Sequence, residues 1–95
     1  MPVLRIDHAV SDFDAWKRAF DSDPIGRARS GVRRYRVLRP VGDPNHVMVD
    51  LEFDNARDAE ASRDALQELW GRVEAEGLIR SPSAVILEAV ETKEL

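Results

Sequence analysis

The sequence predicts an α+β fold in two layers, with the element order βαββαβ, a four-stranded antiparallel sheet and both helices on one face of it. Three observations predict this. Four runs have extended-strand character, two segments carry apolar residues at helical spacing, and the turn-rich segment Gly42-Asp43-Pro44-Asn45 joins the middle two extended runs as a hairpin.

Val3-Leu4-Arg5-Ile6-Asp7-His8 alternates with period two and reads as the first strand, with Leu4, Ile6 and His8 on one face and Val3, Arg5 and Asp7 on the other. Ser11 reads as the N-cap of the first helix and Asp14 as its capping-box partner. Phe13, Trp16 and Phe20 follow at helical spacing, so this helix spans about Asp12 to Asp21 and ends at Pro24 and Gly26. Gly31 opens the second extended run, Val32 to Arg39, which Pro40 closes. The returning strand, His46 to Phe53, sets Val47, Val49, Leu51 and Phe53 on the core face and Met48, Asp50 and Glu52 on the reverse. Asp54 or Asn55 starts the second helix, whose apolar stripe is Ala59, Leu66, Leu69, Trp70 and Val73. Gly71 is a candidate break in it and Gly77 a candidate end. Ser81-Pro82-Ser83 then leads into Ala84 to Glu91, a last strand whose near-continuous apolar character predicts burial on both faces.

At 95 residues, the chain reads as a single domain over residues 1–95, small enough that any additional layer of burial matters to its stability. With 43% hydrophobic and 34% charged residues it is too apolar to be disordered and too interrupted by charge to span a bilayer. Cysteine is absent, which excludes disulfides, thiolate metal sites and cysteine nucleophiles. No basic-then-apolar leader precedes the first strand, so a soluble, cytoplasmic protein with no membrane partner is expected. The net charge of −4 argues against a nucleic-acid partner. Arg27, Arg29, Arg33, Arg34, Arg36 and Arg39 nevertheless crowd together, and a salt-bridged strand accounts for them better than an anion site does.

The sheet face away from the helices would carry Val3, Arg5, Asp7, Arg34, Arg36, Leu38, Met48, Asp50, Glu52, Ile86, Glu88 and Val90. A solvated face would show fewer aliphatic groups, and a dry interface fewer ions. A second copy packed sheet to sheet reconciles the two, with ion pairs fixing orientation more than adding net stability. The prediction is a homodimer; a monomer with an open charged face is the alternative.

Met1-Pro2-Val3 opening the first strand, Gly31 followed by Tyr35 and Leu38-Arg39-Pro40-Val41, and Glu52-Phe53-Asp54 leading into an amphipathic helix together resemble the dimeric α/β barrel proteins, which include the antibiotic-biosynthesis monooxygenases. The similarity spans most of the chain. The resemblance implies a pocket between helices and sheet in each protomer and a dimer closed into a barrel. It does not select an activity, because that fold hosts several. In the haem-degrading branch an asparagine late in the first strand and a histidine on the second helix hold the haem. Here Asp7 stands at the strand position and the helix from Asn55 to Trp70 has no histidine, so no haem, and no other cofactor, is expected.

Trp16, Phe20, Tyr35, Phe53 and Trp70 are candidates to line an apolar pocket for a flat aromatic or polyketide-like ligand, although aromatic residues at core spacing are more often simply core. Tyr35 shares strand parity with Arg33 and Val37, an assignment that a bulge would reverse. His8 lies on the helix-facing side of the first strand and is the candidate base, and Tyr35, the second catalytic candidate, would position the substrate ring together with Trp16. Arg33 is a candidate to bind a ligand carboxylate or enolate through its planar fork. His46, in the hairpin turn, reads as exposed to water, and parity places the two imidazoles on opposite faces of the sheet, so no metal site is expected. Two functions follow: a cofactor-independent monooxygenase or cyclase acting on an aromatic or polyketide-like substrate, or a non-catalytic ligand-binding or dimeric interaction module. A cavity of roughly 300 Å³ or more with His8 on its wall would favour the first.

Overall fold

Val3–Val10 form β1, in which half-buried and buried side chains alternate along the whole strand. The computed structural model describes all residues, 1–95. Helix α1, Phe13–Asp21, is capped by Asp12 and not by Ser11: the Asp12 carboxylate accepts from the backbone N–H groups of Asp14 and Ala15 at 3.0 and 3.3 Å. A carboxylate both satisfies these unpaired donors and meets the positive end of the helix dipole. Ser11 is instead tied through its own backbone N–H to the Leu78 carbonyl.

Strand β2 spans Val32–Leu38 and β3 spans His46–Phe53. Gly31, just before β2, holds φ at +95°, and a Cβ there would lie 2.7 Å from Asp58 Oδ2, so only glycine permits this approach of the strand to the second helix. That helix, α2, runs Ala56–Ala75 with Asn55 as its N-cap, whose side chain accepts from the Asp58 N–H at 2.9 Å. It passes through Gly71 without a break. The propensity loss of about 1 kcal/mol for a helical glycine is outweighed by burial of its neighbour Trp70 against the sheet.

Strand β4, Ile79–Leu87, begins well before Ala84. The sequence places Pro82 ahead of the strand, yet it lies within β4, an edge strand of the order β2-β3-β1-β4 that tolerates a missing N–H. A register shift opposite Asp7 to Ala9 absorbs the segment, with Ser81 at φ +53°. All three strand pairings are antiparallel.

The register assigns each face. Val37 opposes Val49 and Tyr35 opposes Leu51 on the helix side, while Arg36 opposes Asp50 and Arg34 opposes Glu52 on the other. A register shift between Val32 and Arg34 leaves Tyr35 with Val37 and takes Arg33 out of the alternation. In β4 the parity expected from sequence is reversed. Ile86 opposes the fully buried Leu4 and so faces the helices, whereas Val85 opposes Arg5 on the open side. Glu88 and Val90 lie beyond the strand, and Val85 is 51% exposed, so β4 is not covered on both faces.

The core lies between layers, with Leu4, Ile6, Val49, Leu51 and Phe53 from the sheet packed under Trp16, Ala59 and Trp70 from the helices. On the open face Asp50 is only 3% exposed. Arg5 grips it through a two-toothed contact of 2.8 and 2.9 Å, Arg36 adds a third hydrogen bond at 3.3 Å, and Arg34 pairs with Glu52 at 2.7 Å. Hydrogen bonding from Arg5, reinforced by its charge and by Arg36, holds the Asp50 carboxyl below the usual aspartate range against the opposing effect of burial. No helix is long and apolar enough to cross a membrane.

Candidate functional site

A cavity of about 240 Å³ lies between the helices and the sheet, bounded by 17 residues of which 13 are hydrophobic. Each element contributes for a reason visible in its pattern. The helix-facing residues of β1 and β3 (Ile6, His8, Val49, Leu51) form the floor, the apolar face of α1 (Trp16, Phe20) forms one wall, and the stripe of α2 (Leu66, Leu69, Trp70, Val73) forms the other.

His8 is the polar group of the floor. It is 2% exposed and meets Trp16 and Trp70 edge-on, with ring centroids 5.7 and 6.4 Å away. Its Nδ1 lies 3.2 Å from the Ala9 carbonyl oxygen. A carbonyl only accepts, so Nδ1 carries the proton and Nε2, which has no protein hydrogen-bond partner, presents a lone pair. Burial pushes the imidazole below the ordinary histidine value, and the Ala9 carbonyl and the Asp7 charge only partly offset this.

The direction of that shift has a consequence for stability. Below about pH 6.5 the unfolded chain takes up a proton that the folded chain resists, so the contribution of neutral His8 is present above that pH and is lost as the pH falls toward the folded value. Thermal melts between about pH 7.5 and 5.5 should show the wild type losing up to about 1.4 kcal/mol per pH unit. His8→Gln should give a flatter profile, and parallel profiles would mean that His8 is not shifted. The carboxylate of Asp50 acts in a separate window, since its contribution is lost only as the pH falls below about 3.9.

The structure brings together His8, Trp16, Phe20 and Trp70, all on the cavity wall. It does not bring Tyr35, Arg33 or Phe53 there. Tyr35 meets Phe20 edge-to-face at 5.2 Å but is 42% exposed, and it borders a shallower neighbouring recess together with Arg33. Arg33 is displaced by the strand irregularity and pairs at 2.7 Å with Asp54. Phe53 is fully buried and serves as core.

His46 is the first residue of β3 and not a turn residue in open water, because its Nε2 engages the Asp7 carboxylate. That contact sits on the open sheet face, away from His8. No group of three or more histidine, cysteine or acidic side chains converges as a metal-binding set. Sequence reasoning did not select the loop between α1 and β2, which closes one end of the cavity with Ser22, Pro24, Ile25 and Arg27. A loop carries no periodicity, so no spacing could have marked these residues.

At the level of sequence, no protein-family model matches the chain, and no relative is found among curated proteins. The three-dimensional comparison is different. A variant of SnoaB, a cofactor-independent oxygenase from Streptomyces nogalater, superposes with a TM-score of 0.75 at 14% identity, covering 96% of this chain and 94% of that one. A candidate antibiotic biosynthesis monooxygenase from Nitrosomonas europaea gives 0.70 at 20% identity over 96% and 100% of the two chains. A dimeric ferredoxin-like protein from an uncultured marine organism gives 0.67 at 12% identity over 97% and 96%. The chain therefore has the βαββαβ fold of the dimeric ferredoxin-like and antibiotic-biosynthesis-monooxygenase structures.

Proposed function

We propose that the protein is a homodimeric oxygenase that works without a cofactor on a small, flat aromatic substrate bound in the cavity beneath the helices, with His8 as the base. The observation that carries this reading is the state of His8: kept neutral by burial, with Nε2 unpaired, on the wall of a mostly apolar cavity. A cavity of about 150 Å³ lined by aliphatic and aromatic groups accepts benzene. The 240 Å³ here has His8 on its wall and suits a ligand of about two fused rings, but it falls short of the roughly 300 Å³ expected from sequence as favouring catalysis, the size at which pockets for drug-sized ligands begin. A larger polycyclic substrate would have to leave part of itself outside.

The chemistry needs only substrate and dioxygen. His8 Nε2 removes a proton from a ring carbon or hydroxyl whose anion is delocalised over the ring system. The anion gives one electron to dioxygen, and the resulting radical pair combines into a peroxide at carbon. The imidazolium returns its proton to make the hydroperoxide, and loss of the remaining hydrogen on that carbon with cleavage of the O–O bond releases water and leaves a new carbonyl, so one oxygen atom enters the product and the other leaves as water. Apolar walls keep the base neutral and the anion short of solvent.

The dimer is supported by the open sheet face, where aliphatic Val85 stands exposed beside Arg5, one of two arginines that hold the Asp50 carboxylate. Two of the similar solved structures are described as dimeric ferredoxin-like proteins. Dioxygen uptake measured with an electrode, on a panel of two-ring hydroquinones and naphthols and with a chelator present, tests the activity. One dioxygen consumed per product is expected. A panel that raises the melting temperature without consuming dioxygen would replace this reading by ligand binding alone, and a panel that does neither would remove the cavity as a ligand site.

A further inference from the structure

We propose that Arg27 makes this cavity selective for aromatic ligands carrying one anionic oxygen at the ring edge, a phenolate or carboxylate, which the guanidinium binds at the part of the wall reached from His8 through Trp16 and Phe20. The proposal rests on the reading of the cavity as the substrate site and goes further by naming the charge of the substrate.

Three features converge on Arg27. Its side chain is only 15% exposed, yet of its five N–H donors the structure pairs one, with Nη1 donating to the Phe20 carbonyl at 2.8 Å. Asp23 forms a salt bridge with Nε at 3.5 Å, longer than a strong charge-assisted hydrogen bond, while it accepts the Arg27 backbone N–H at 2.8 Å, and the guanidinium lies over the Phe20 and Tyr35 rings at 4.0 and 4.9 Å. A largely buried guanidinium with spare donors is a group built to accept a further anion, since short charge-assisted contacts of about 2.7 to 2.9 Å are its strongest mode.

Second, the aromatic wall leads from the base to this group without interruption. His8 meets Trp16 at 5.7 Å, Trp16 stacks on Phe20 at 5.2 Å, and the Arg27 guanidinium lies 4.0 Å from the Phe20 ring centroid. A flat ligand lying along that wall would present one edge to the imidazole and the other to the guanidinium. Third, Arg27 borders both the cavity and the adjoining recess, which Arg33, Arg34 and Tyr35 also line, with Asp23 as its single acid. The carboxylates paired with Arg33 and Arg34, those of Asp54 and Glu52, are not on the recess wall. Arg33 and Arg34 are already balanced by those carboxylates at 2.7 Å, so an anion reaching the cavity through the recess finds its donors on Arg27.

The competing account is that Arg27 merely fastens the loop to the C-terminal carbonyls of α1. Calorimetric titration of a matched pair separates the two: 2-naphthoate and its neutral isostere 2-naphthamide. The wild type should bind naphthoate about tenfold or more tighter than naphthamide, with the preference shrinking at high salt. Arg27→Met should lose the preference while binding naphthamide as the wild type does, and Arg27→Lys, which keeps the charge without the fork, should keep part of it. A preference that survives in Arg27→Met would overturn the assignment, as would a wild type that favours the amide. Loss of naphthamide binding in both variants would assign Arg27 to holding the cavity itself and equally overturn it. A wild type that binds naphthamide alone defeats the Arg27 assignment and spares the cavity, whereas one that binds neither probe defeats both.

Discussion

His8→Ala is expected to lower the rate of dioxygen consumption by about 10²- to 10⁴-fold, the range supplied by a positioned general base, while the protein remains folded and dimeric. The size of the effect follows from the surroundings of the ring. No other side chain of the floor or of the two helical walls titrates near neutrality, so nothing nearby substitutes for it. The loss should fall on kcat more than on KM, because the apolar walls that hold the substrate are untouched. Added imidazole, which fits the space left by the deletion, should restore part of the rate. In the wild type the rate should rise with pH through an apparent value lower than that of an ordinary histidine, the direction set by burial. A variant that turns over at the wild-type rate would remove His8 from the mechanism and leave the cavity to binding.

The second large effect concerns the dimer. Arg36→Glu is expected to raise the dissociation constant of the dimer by about 100-fold, seen in sedimentation as monomer at concentrations where the wild type is paired. Arg36 supplies the third hydrogen bond to Asp50, whose side chain is 4% exposed, and Arg34 beside it neutralises Glu52. Glutamate at position 36 would set a new carboxylate against Asp50 on a face that a second sheet would desolvate. There, like charges repel far more than they do in water. Arg36→Lys keeps the charge and should leave the dimer nearly intact. A sedimentation profile unchanged by Arg36→Glu would mean that the open face is not the interface, and in that case Arg5 and Arg36 hold Asp50 for the protomer alone.

Much of this architecture was legible residue by residue. The alternation of Leu4, Ile6 and His8 against Val3, Arg5 and Asp7 set the two faces of β1 correctly, and the same parity placed Val47 to Phe53. The helical spacing of Trp16 and Phe20, and of Leu66, Leu69, Trp70 and Val73, identified side chains that meet at the cavity. Where local signals competed, the reading went astray. Ser11 and Asp12 are both good caps, and the backbone of Ser11 is drawn away by Leu78, just ahead of β4. Pro82 argues against a strand interior, and β4 tolerates it only because it is an edge. The β4 parity was inverted because an unbroken apolar run contains no alternation to read.

By itself the sequence determined the order of elements, the helix-facing set of each strand that alternates, and the presence of a histidine among aromatic residues on that side. Those properties depend on neighbours within a few positions, where the periods of strand and helix act directly. Only the tertiary structure decided that Phe53 is core and Trp70 is wall, that Tyr35 and Arg33 turn to a separate recess, and that Arg27 closes the cavity from a loop. Which surface of a buried side chain meets empty space depends on how the layers are offset and where a loop returns. Those are set by contacts distant along the chain, which no local pattern encodes.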